Sequence, residues 1–291
     1  MPPVATLEGS DAHFFAGQII DTSTGGKITF DELISRLSEK RLVFIGETHS
    51  NPEHHLIQTQ LLQSLFSAHK GRICVAMESF EGDQQDAIDR YLEGTTHEEE
   101  FLRESDWYRT WRFDYSLYRP LILAVKENRG GLFAVNAPAK IVKKVARKGL
   151  EGLEPQERKR LAWHIDLKDK DHRAYLKSIF GKHDHKGLEN FEYFYQAQCV
   201  WEDTMAENIA RLLVKGCERI IVITGNGHII NRFGIPSRTA KRYPSDYATV
   251  MPFPIRGKEA LKVQIADFIW LTDGCSIRRF THMLQMKAPP D

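Results

Sequence analysis

The sequence lacks several features that mark common classes of protein. Its 40 basic and 39 acidic side chains nearly cancel, leaving a net charge of +1, and basic residues form no stripe interleaved with aromatic ones. We therefore expect no nucleic-acid partner. The 291 residues include no apolar run long enough to cross a bilayer, so we expect no transmembrane segment either.

Cysteine is scarce, and the four cysteines form neither a C-x-x-C pair nor a C-x-x-C-H motif. Neither a zinc knuckle nor covalent haem attachment is therefore indicated. Cys74 lies in an apolar run and is predicted to be a buried, unpaired thiol, as suits a reducing compartment. With no signal peptide and no lipidation cysteine, the chain as numbered is expected in the cytoplasm. The alternative, if the sequence has been trimmed, is a periplasmic protein or an outer-membrane lipoprotein.

Common nucleotide-binding and hydrolase signatures are also missing. The sequence contains no G-x-G-x-x-G, no G-x-x-x-x-G-K-[ST] and no G-x-S-x-G. These absences argue against the common dinucleotide-binding, P-loop and serine-hydrolase folds.

Short apolar runs alternate with helical segments along the chain, which predicts an α/β fold with a mainly parallel sheet flanked by helices. The predicted core strands cover residues 42–45, 73–77, 132–135 and 219–224, with further strands at 248–253 and 266–271. A small hairpin is expected within residues 14–31, and Asp31 is predicted to cap a helix over residues 32–39. We expect residues 1–291 to form a single domain.

Two long segments, residues 83–130 and 139–217, are charged and helical in pattern and have little strand character. They exceed the usual length of an α/β connection. We predict that both are helical insertions that cap the carboxyl edge of the sheet. Residues 181–187, which include His183 and His185, are predicted to be an exposed loop.

Two predicted strands end in the same Gly-x-x-His pattern, which spans residues 46–49 and 225–228. In a parallel sheet such ends meet at the carboxyl edge, where open α/β sheets bind ligands. The polar residues expected at this edge are Glu47, His49, Glu78, Asn136, Asn226 and His228. The two carboxylates and two imidazoles among them could form a metal site or a general acid/base set. Each residue taken alone could instead serve a turn or a cap.

A second feature of the two predicted helical segments is their aromatic content. The aromatic residues are Trp107, Tyr108, Trp111, Phe113, Tyr115, Tyr118, Phe191, Tyr193, Phe194, Tyr195 and Trp201. Such residues can line a pocket for a large flat ligand, and a tyrosine phenolate can ligate ferric iron. Core packing is the alternative for most of them. Arg119 could pair with a carboxylate, and of the adjacent His54 and His55 only one can face His49.

Several short segments in this order resemble the ChaN family of haem-binding uptake proteins, within the wider Tiki and erythromycin-esterase-like superfamily. The segments are residues 46–49 with 51–55, 76–80, 114–121, 136–138, 194–198 with 205–206, and 225–228. The resemblance covers roughly residues 15–271. It implies an α/β core with helical additions.

The resemblance also implies a homodimer that holds two haems face to face between its subunits, with iron ligated by a tyrosine. Tyr118 and Tyr195 lie in the matching segments, and either could be the ligand. The residues predicted to contact haem are Tyr118, Tyr195, Arg119, His54 and Asn136. The function expected from the resemblance is haem binding in iron or haem uptake.

An alternative follows from the hydrolytic branches of the same superfamily. There the residues that match Glu47, His49, Glu78 and His228 carry out the chemistry. Tiki-like members use a divalent metal, whereas erythromycin esterases activate a water molecule through the histidine. The alternative function is therefore an esterase-like or peptidase-like hydrolase, with these four residues as catalytic groups or metal ligands.

Overall fold

A computed structural model describes residues 3–69, 73–180 and 190–274. The predicted loop at 181–187, with His183 and His185, lies outside these residues. The strands are β1 (Val4–Leu7), β2 (His13–Phe14), β3 (Ile19–Asp21), β4 (Gly26–Ile28), β5 (Leu42–Ile45), β6 (Ile73–Glu81), β7 (Gly131–Asn136), β8 (Arg219–Ile223), β9 (Tyr247–Ile255), β10 (Lys258–Leu261) and β11 (Phe268–Asp273). The helices are α1 (Phe30–Ser38), α2 (Pro52–His69), α3 (Gln85–Glu93), α4 (Glu98–Glu104), α5 (Trp107–Thr110), α6 (Tyr115–Glu127), α7 (Ala139–Lys148), α8 (Pro155–Arg158), α9 (Lys170–Phe180), α10 (Phe191–Val214) and α11 (Ile235–Arg242).

The larger sheet has the strand order β4-β3-β11-β9-β5-β8-β6-β7. From β11 to β7 every neighbouring pair of strands is parallel. The hairpin of β3 and β4 joins antiparallel to β11 at one edge, and a smaller sheet has the order β10-β1-β2. The predicted α/β fold with a mainly parallel sheet is therefore confirmed.

Helices cover both faces of this sheet because its central strands are apolar on both sides. All four residues of β5 are buried. Val43 and Ile45 pack in one apolar cluster with α2 and α6, whereas Leu42 and Phe44 pack in a second cluster with α10. Side chains alternate between the faces of a strand, so one short run supplies both clusters. With both faces covered, the edge of the sheet is the place left for polar groups.

Local capping explains where the first two helices begin. The Asn51 side chain accepts a hydrogen bond from the N–H of Glu53 at 3.0 Å, so α2 starts where the sequence predicts. The prediction that Asp31 caps α1 is wrong. The cap is Thr29, whose hydroxyl accepts from the N–H of Glu32 while the Glu32 carboxylate accepts from the N–H of Thr29. This reciprocal pair is a capping box, and it places the start of α1 before Asp31.

The two long segments form helices, and their predicted role as insertions that cap the carboxyl edge stays a prediction. The chain forms α3 to α6 between β6 and β7, and α7 to α10 between β7 and β8. The described residues of these segments contain no strand. Among the described helices, none combines the length and the apolar character that crossing a membrane requires. The single-domain organisation stays a prediction.

The prediction that Cys74 is an unpaired thiol is wrong. Its sulfur is bonded to that of Cys217, and the two Cα atoms lie 6.2 Å apart. Cys74 lies in β6 and Cys217 lies two residues before β8, its parallel neighbour, so the sheet brings together residues 143 positions apart. No local spacing pattern signals such a pair, which is why the sequence does not reveal it. Cys199 is a buried free thiol.

Candidate functional site

The order of the central strands brings the predicted site residues to one edge. β8 lies between β5 and β6, and all three strands run parallel. Glu47 and His49 follow β5, Glu78 lies near the end of β6, and His228 lies in a short 3₁₀ turn after β8. The chain visits β6 and β7 before it returns to β8, so these residues surround a point where the direction of connection reverses. Such a reversal is where open α/β sheets bind ligands.

The first of two carboxylate–imidazole pairs joins Glu47 to His49. Glu47 Oε1 lies 2.7 Å from His49 Nδ1 and accepts a hydrogen bond from the Tyr118 hydroxyl at 2.6 Å. Nδ1 of His55 lies 3.4 Å from Glu47 Oε2. Burial by itself would raise the pKa of Glu47. The hydrogen bond from His49 and the charges of His55 and His49 outweigh burial and hold that pKa below its usual value.

The second pair joins Glu78 to His228. Glu78 Oε2 accepts from the Thr224 hydroxyl and from the N–H of Gly225, each at 2.7 Å. Glu78 Oε1 lies 3.3 Å from His228 Nε2. Burial opposes both charges, but the His228 charge and hydrogen bond lower the pKa of Glu78 to about 2. Against the same burial, Glu78 and Glu202 raise the pKa of His228 to about 10, so we describe the pair as carboxylate and imidazolium.

The two pairs meet across Gly225. A Cβ atom on Gly225 would lie 3.0 Å from His49 Cε1 and 3.1 Å from His49 Nε2, so glycine lets the imidazole lie directly against the β8 turn. Burial lowers the pKa of His49, but the bond to Glu47 and the charge of Glu78 outweigh it and raise the pKa. The side chain of His49 is 29% exposed, whereas Glu47 and Glu78 are almost fully buried. Of the four residues in the two pairs, His49 is therefore the one that a ligand can reach most easily.

Aromatic rings from both helical segments pack against the two imidazoles, and we use the word crevice for the edge of the sheet that these rings flank. The rings of Trp111 and Phe113 each lie 4.9 Å from the His49 ring, between centroids. On the other side, Trp201 lies 5.0 Å from His228. The Asn136 side chain accepts from the Trp201 indole N–H and donates to the backbone carbonyl of Glu78 at 2.6 Å. Asn136 therefore holds one wall against the strand that carries Glu78.

The two tyrosines predicted to contact haem have their hydroxyls bound within the protein. The Tyr118 hydroxyl is bound to Glu47, and the Tyr195 hydroxyl donates to the Asp169 carbonyl at 3.2 Å. Both tyrosines are buried, and burial is the main cause that raises the pKa of each. Each hydroxyl is uncharged and donates its hydrogen bond to another residue. Ligation of iron by either tyrosine stays a prediction.

Arg119 and His54 also contact other residues of the protein. Arg119 is on the surface, with Nε 2.8 Å from Glu98 Oε1. His54 is fully buried, with Nδ1 accepting from the N–H of Thr48 at 2.8 Å and Nε2 3.1 Å from the Thr272 hydroxyl. Of the two adjacent histidines, His55 is the one that touches Glu47.

A buried ionic network centred on Glu202 lies behind His228, and the sequence did not predict it. Glu202 Oε1 lies 3.4 Å from His228 Nδ1, and Glu202 Oε2 lies 3.4 Å from Arg238 Nε. His172 Nε2 lies 3.5 Å from the same Glu202 oxygen, and Arg238 also pairs with Asp203. Burial would raise the pKa of Glu202, but His172, His228 and Arg238 hold it low. Charged residues within a helix are usually exposed, so the positions of these residues in the sequence did not indicate that they are buried.

A divalent metal needs several donor groups that are directed at one point. Within residues 3–69, 73–180 and 190–274, no group of three or more His, Cys, Asp or Glu side chains is arranged to hold a metal ion. Glu47 and Glu78 instead direct their oxygens at neighbouring imidazoles, hydroxyls and an N–H group. The described residues therefore do not fit a divalent metal ion such as the Tiki-like members of the superfamily use.

The fold and the crevice define a mainly parallel α/β protein with two carboxylate–imidazole pairs between aromatic walls. A family model described as haem-binding uptake, Tiki superfamily, ChaN matches residues 33–239. Because this match covers more than half of the sequence, the chain belongs to that family. The resemblance inferred from the sequence motifs is thus confirmed.

Individual relatives are more distant. A solved structure of ChaN of Campylobacter jejuni, described by its cofacial heme binding, has a TM-score of 0.69 and 18% identity, covering 87% of this chain and 95% of that chain. An erythromycin esterase mutant in its open conformation has a TM-score of 0.46 and 16% identity, covering 77% of this chain and 73% of that chain. The first of these likenesses supports the fold.

A curated relative is the protein RETICULATA-RELATED 5, chloroplastic, of Arabidopsis thaliana. It is 22% identical over 261 residues, which cover 81% of this chain and 34% of that protein. The chain thus spans about a third of the length of this relative.

Proposed function

We propose that this protein binds haem in the crevice between the two carboxylate–imidazole pairs. The observation that carries the proposal is membership of the haem-binding uptake family, with a match over residues 33–239. The crevice supports it, because aromatic rings on two sides suit a large flat ligand. When bound, haem supplies an iron centre that an imidazole or a phenolate can ligate.

Trp111, Phe113 and Trp201 would hold the porphyrin faces or edges in this proposal. His49 would offer the more exposed imidazole of the two pairs, with Glu47 bound to its Nδ1. A carboxylate in that position commonly orients an iron-ligating or metal-ligating histidine. Tyr118 and Tyr195 remain candidate iron ligands if the hydroxyl of either leaves its present hydrogen bond. Arg119, His54 and Asn136 would contact the porphyrin or support the site without ligating iron.

Titration of the purified chain with hemin tests the proposal. We expect a saturable shift of the Soret band, and we expect His49→Ala and Trp111→Ala each to weaken binding about tenfold or more. A spectral change of the bound haem in Tyr118→Phe or Tyr195→Phe that His49→Ala does not reproduce would indicate ligation by that tyrosine. Tyr243→Phe, at a tyrosine that packs against Arg41, is the matched control. Absence of a saturable shift in the unmodified chain would contradict haem binding.

We further infer a homodimer around the bound haem and a role in haem or iron uptake. The family resemblance is the support for both. Light scattering with and without hemin tests the dimer, with a doubled mass on loading as the expected result. A mass that stays that of one chain at saturating hemin would contradict it.

The disulfide between Cys74 and Cys217 bears on the compartment, because such bonds persist mainly in oxidising environments. It supports the periplasmic alternative over the cytoplasmic one.

A hydrolase is the second candidate function, and the Glu47–His49 pair favours it. With Nδ1 bound to the Glu47 carboxylate, Nε2 of His49, which lies beside Gly225, is the ring nitrogen left to act as a general base. It would take a proton from water as the water oxygen attacks a carbonyl carbon, and it would return that proton to the alcohol or amine that leaves as the C–O or C–N bond breaks. Since Glu78 and Glu202 occupy both ring nitrogens of His228, its imidazolium would stabilise negative charge on the carbonyl oxygen through its positive charge alone.

An esterase and peptidase screen tests this second function. Activity that is present in the unmodified chain and lost in His49→Ala would support it, provided that elemental analysis shows the same metal content in both. Glu47→Gln, Glu78→Gln and His228→Gln extend the comparison to the other three candidate catalytic residues. Activity that survives His49→Ala, or no activity at all, would count against it.

A further inference from the structure

A polar cavity of about 390 Å³ lies beside the crevice and takes no part in the two carboxylate–imidazole pairs. Its walls are the end of β6, the segment around α5, and the first turn of α7. Its charged lining residues are the cations Arg109, Arg112, Lys140, Lys143 and Arg160 and the acids Glu81, Asp83, Glu104 and Asp106. Its volume is within the range of small-ligand sites.

The cavity and the crevice share two borders. Arg112 lines the cavity, and its chain neighbours Trp111 and Phe113 both lie against the His49 ring. On the opposite side, Pro138 lines the cavity two residues after Asn136, which contacts Glu78 and Trp201. A ligand that covers His49 would therefore have part of its outline next to this cavity.

The acidic residues of the cavity are all engaged. Asp106 pairs with Arg109, and Asp83 pairs with Arg160. Glu104 Oε2 lies 2.6 Å from Arg90, which is outside the cavity. Glu81 Oε1 accepts from the N–H of Ala139 at 3.0 Å.

Three of the five lining cations have no ion pair among the described residues, against one such carboxylate among the lining acids, that of Glu81. In the part of the chain that the structure describes, Arg112, Lys140 and Lys143 have no carboxylate within ion-pair distance. Arg112 Nε donates to the Arg109 carbonyl at 3.4 Å, but no carboxylate within the described ranges neutralises any of the three positive charges, so the polar cavity attracts an anionic group. A carboxylate would supply the missing counter-charge without disturbing any existing pair.

The backbone fixes Arg112 in this position. Its φ angle is +71°, a left-handed conformation that is uncommon for arginine. At the other end of α5, Asp106 is also left-handed, with φ of +50°. Such conformations cost free energy and tend to occur where a site needs them. Here they turn the chain so that Trp111 reaches His49 while Arg112 lines the cavity.

We propose that this cationic cavity binds a carboxylate of the ligand that occupies the crevice, which for haem is a propionate. The inference rests on the proposed haem binding and adds the residues Arg112, Lys140 and Lys143 to the site. It makes the negative charge of the ligand a condition for tight binding, in addition to the stacking of its flat ring.

The test compares hemin with hemin dimethyl ester, in which both carboxylates are masked, by titration followed at the Soret band. We expect the unmodified chain to bind hemin about tenfold more tightly than the ester, since hydrogen bonds to charged groups give such differences. Lys140→Gln with Lys143→Gln, and separately Arg112→Asn, should weaken hemin binding about tenfold and leave ester binding unchanged. Asparagine is chosen because it tolerates the left-handed conformation. Lys177→Gln, at an exposed lysine of α9, is the matched control.

Two negative outcomes are distinguishable. If neither porphyrin gives a saturable change, haem binding itself fails, and this inference fails with it. If both porphyrins bind equally tightly and the cavity variants change nothing, haem binding stands and the carboxylate site is overturned.

Discussion

The Tyr118 hydroxyl and the His49 imidazole share one carboxylate oxygen, Glu47 Oε1, at 2.6 and 2.7 Å. Tyr118→Phe removes one of these contacts and keeps the ring. We expect the free energy of unfolding to fall by about 1.5–3 kcal/mol, the cost of losing a hydrogen bond to a buried charge. The pKa of His49 should rise further, because Glu47 then has one donor fewer to share its charge with. Urea denaturation and NMR titration of His49 measure the two effects, and an unchanged His49 titration would contradict the shared contact.

Gly225 gives a matched pair of substitutions with Gly227. In Gly225→Ala the new Cβ would lie 3.0 Å from His49, so the imidazole must move, whereas at Gly227 no atom lies within 4 Å. We expect Gly225→Ala to reduce hemin binding about tenfold or more and Gly227→Ala to leave it unchanged. Circular dichroism should show both variants folded. Equal binding by the two variants would mean that the position of His49 against the β8 turn is unimportant.

Two histidines should link stability to pH in opposite directions. The pKa of His228 is raised to about 10 by Glu78 and Glu202, against burial. Its contribution to stability is therefore complete below the unfolded value of about 6.5 and is lost as the pH rises through about 10. The pKa of His54 is lowered to about 4, chiefly by burial. Its contribution is complete above about 6.5 and is lost as the pH falls through about 4.

Thermal unfolding from pH 4 to pH 10 measures both linkages. His228→Gln should flatten the alkaline fall in the melting temperature, and His54→Gln should flatten the acid fall. In the unmodified chain, NMR should show His228 still charged at pH 8 and His54 still neutral at pH 5.5. The reverse order of titration would contradict the assigned charges.

The disulfide should contribute to stability through the length of chain that it closes. Cys74 and Cys217 are 143 residues apart, and cross-links of long loops typically stabilise proteins by about 2–4 kcal/mol. We expect the double change of Cys74→Ala and Cys217→Ala to lower the unfolding free energy by about that amount, as judged by urea denaturation. The same loss should follow when the unmodified chain is unfolded in the presence of a thiol reductant. Identical curves with and without reductant would show that the bond is absent.

Much of the fold could be predicted because its strands are short, apolar and bounded by turn residues. The run at residues 42–45 is buried on both faces, so its pattern and its environment agree. The Gly-x-x-His endings at residues 46–49 and 225–228 located the crevice, since parallel strands carry their ends to one edge. The roles assigned to Glu47, His49, Glu78 and His228 stay predictions.

What the sequence could not provide depends on tertiary contacts. Glu202 lies in the middle of a helix with no motif, and only packing against His172, His228 and Arg238 shows that its charge is buried. The adjacent His54 and His55 could not be told apart, because the choice depends on how α2 is rotated against Glu47. Cys74 could not be paired, because its partner lies on a neighbouring strand far along the chain.

The bond between Cys74 and Cys217 also makes residues 74–217 a closed covalent ring. A protease that cuts one peptide bond inside this ring produces two polypeptides that remain attached until the bond is reduced. Both Trp111 and Trp201 belong to the ring, so a single nick cannot release the walls of the crevice from the strand that carries Glu78.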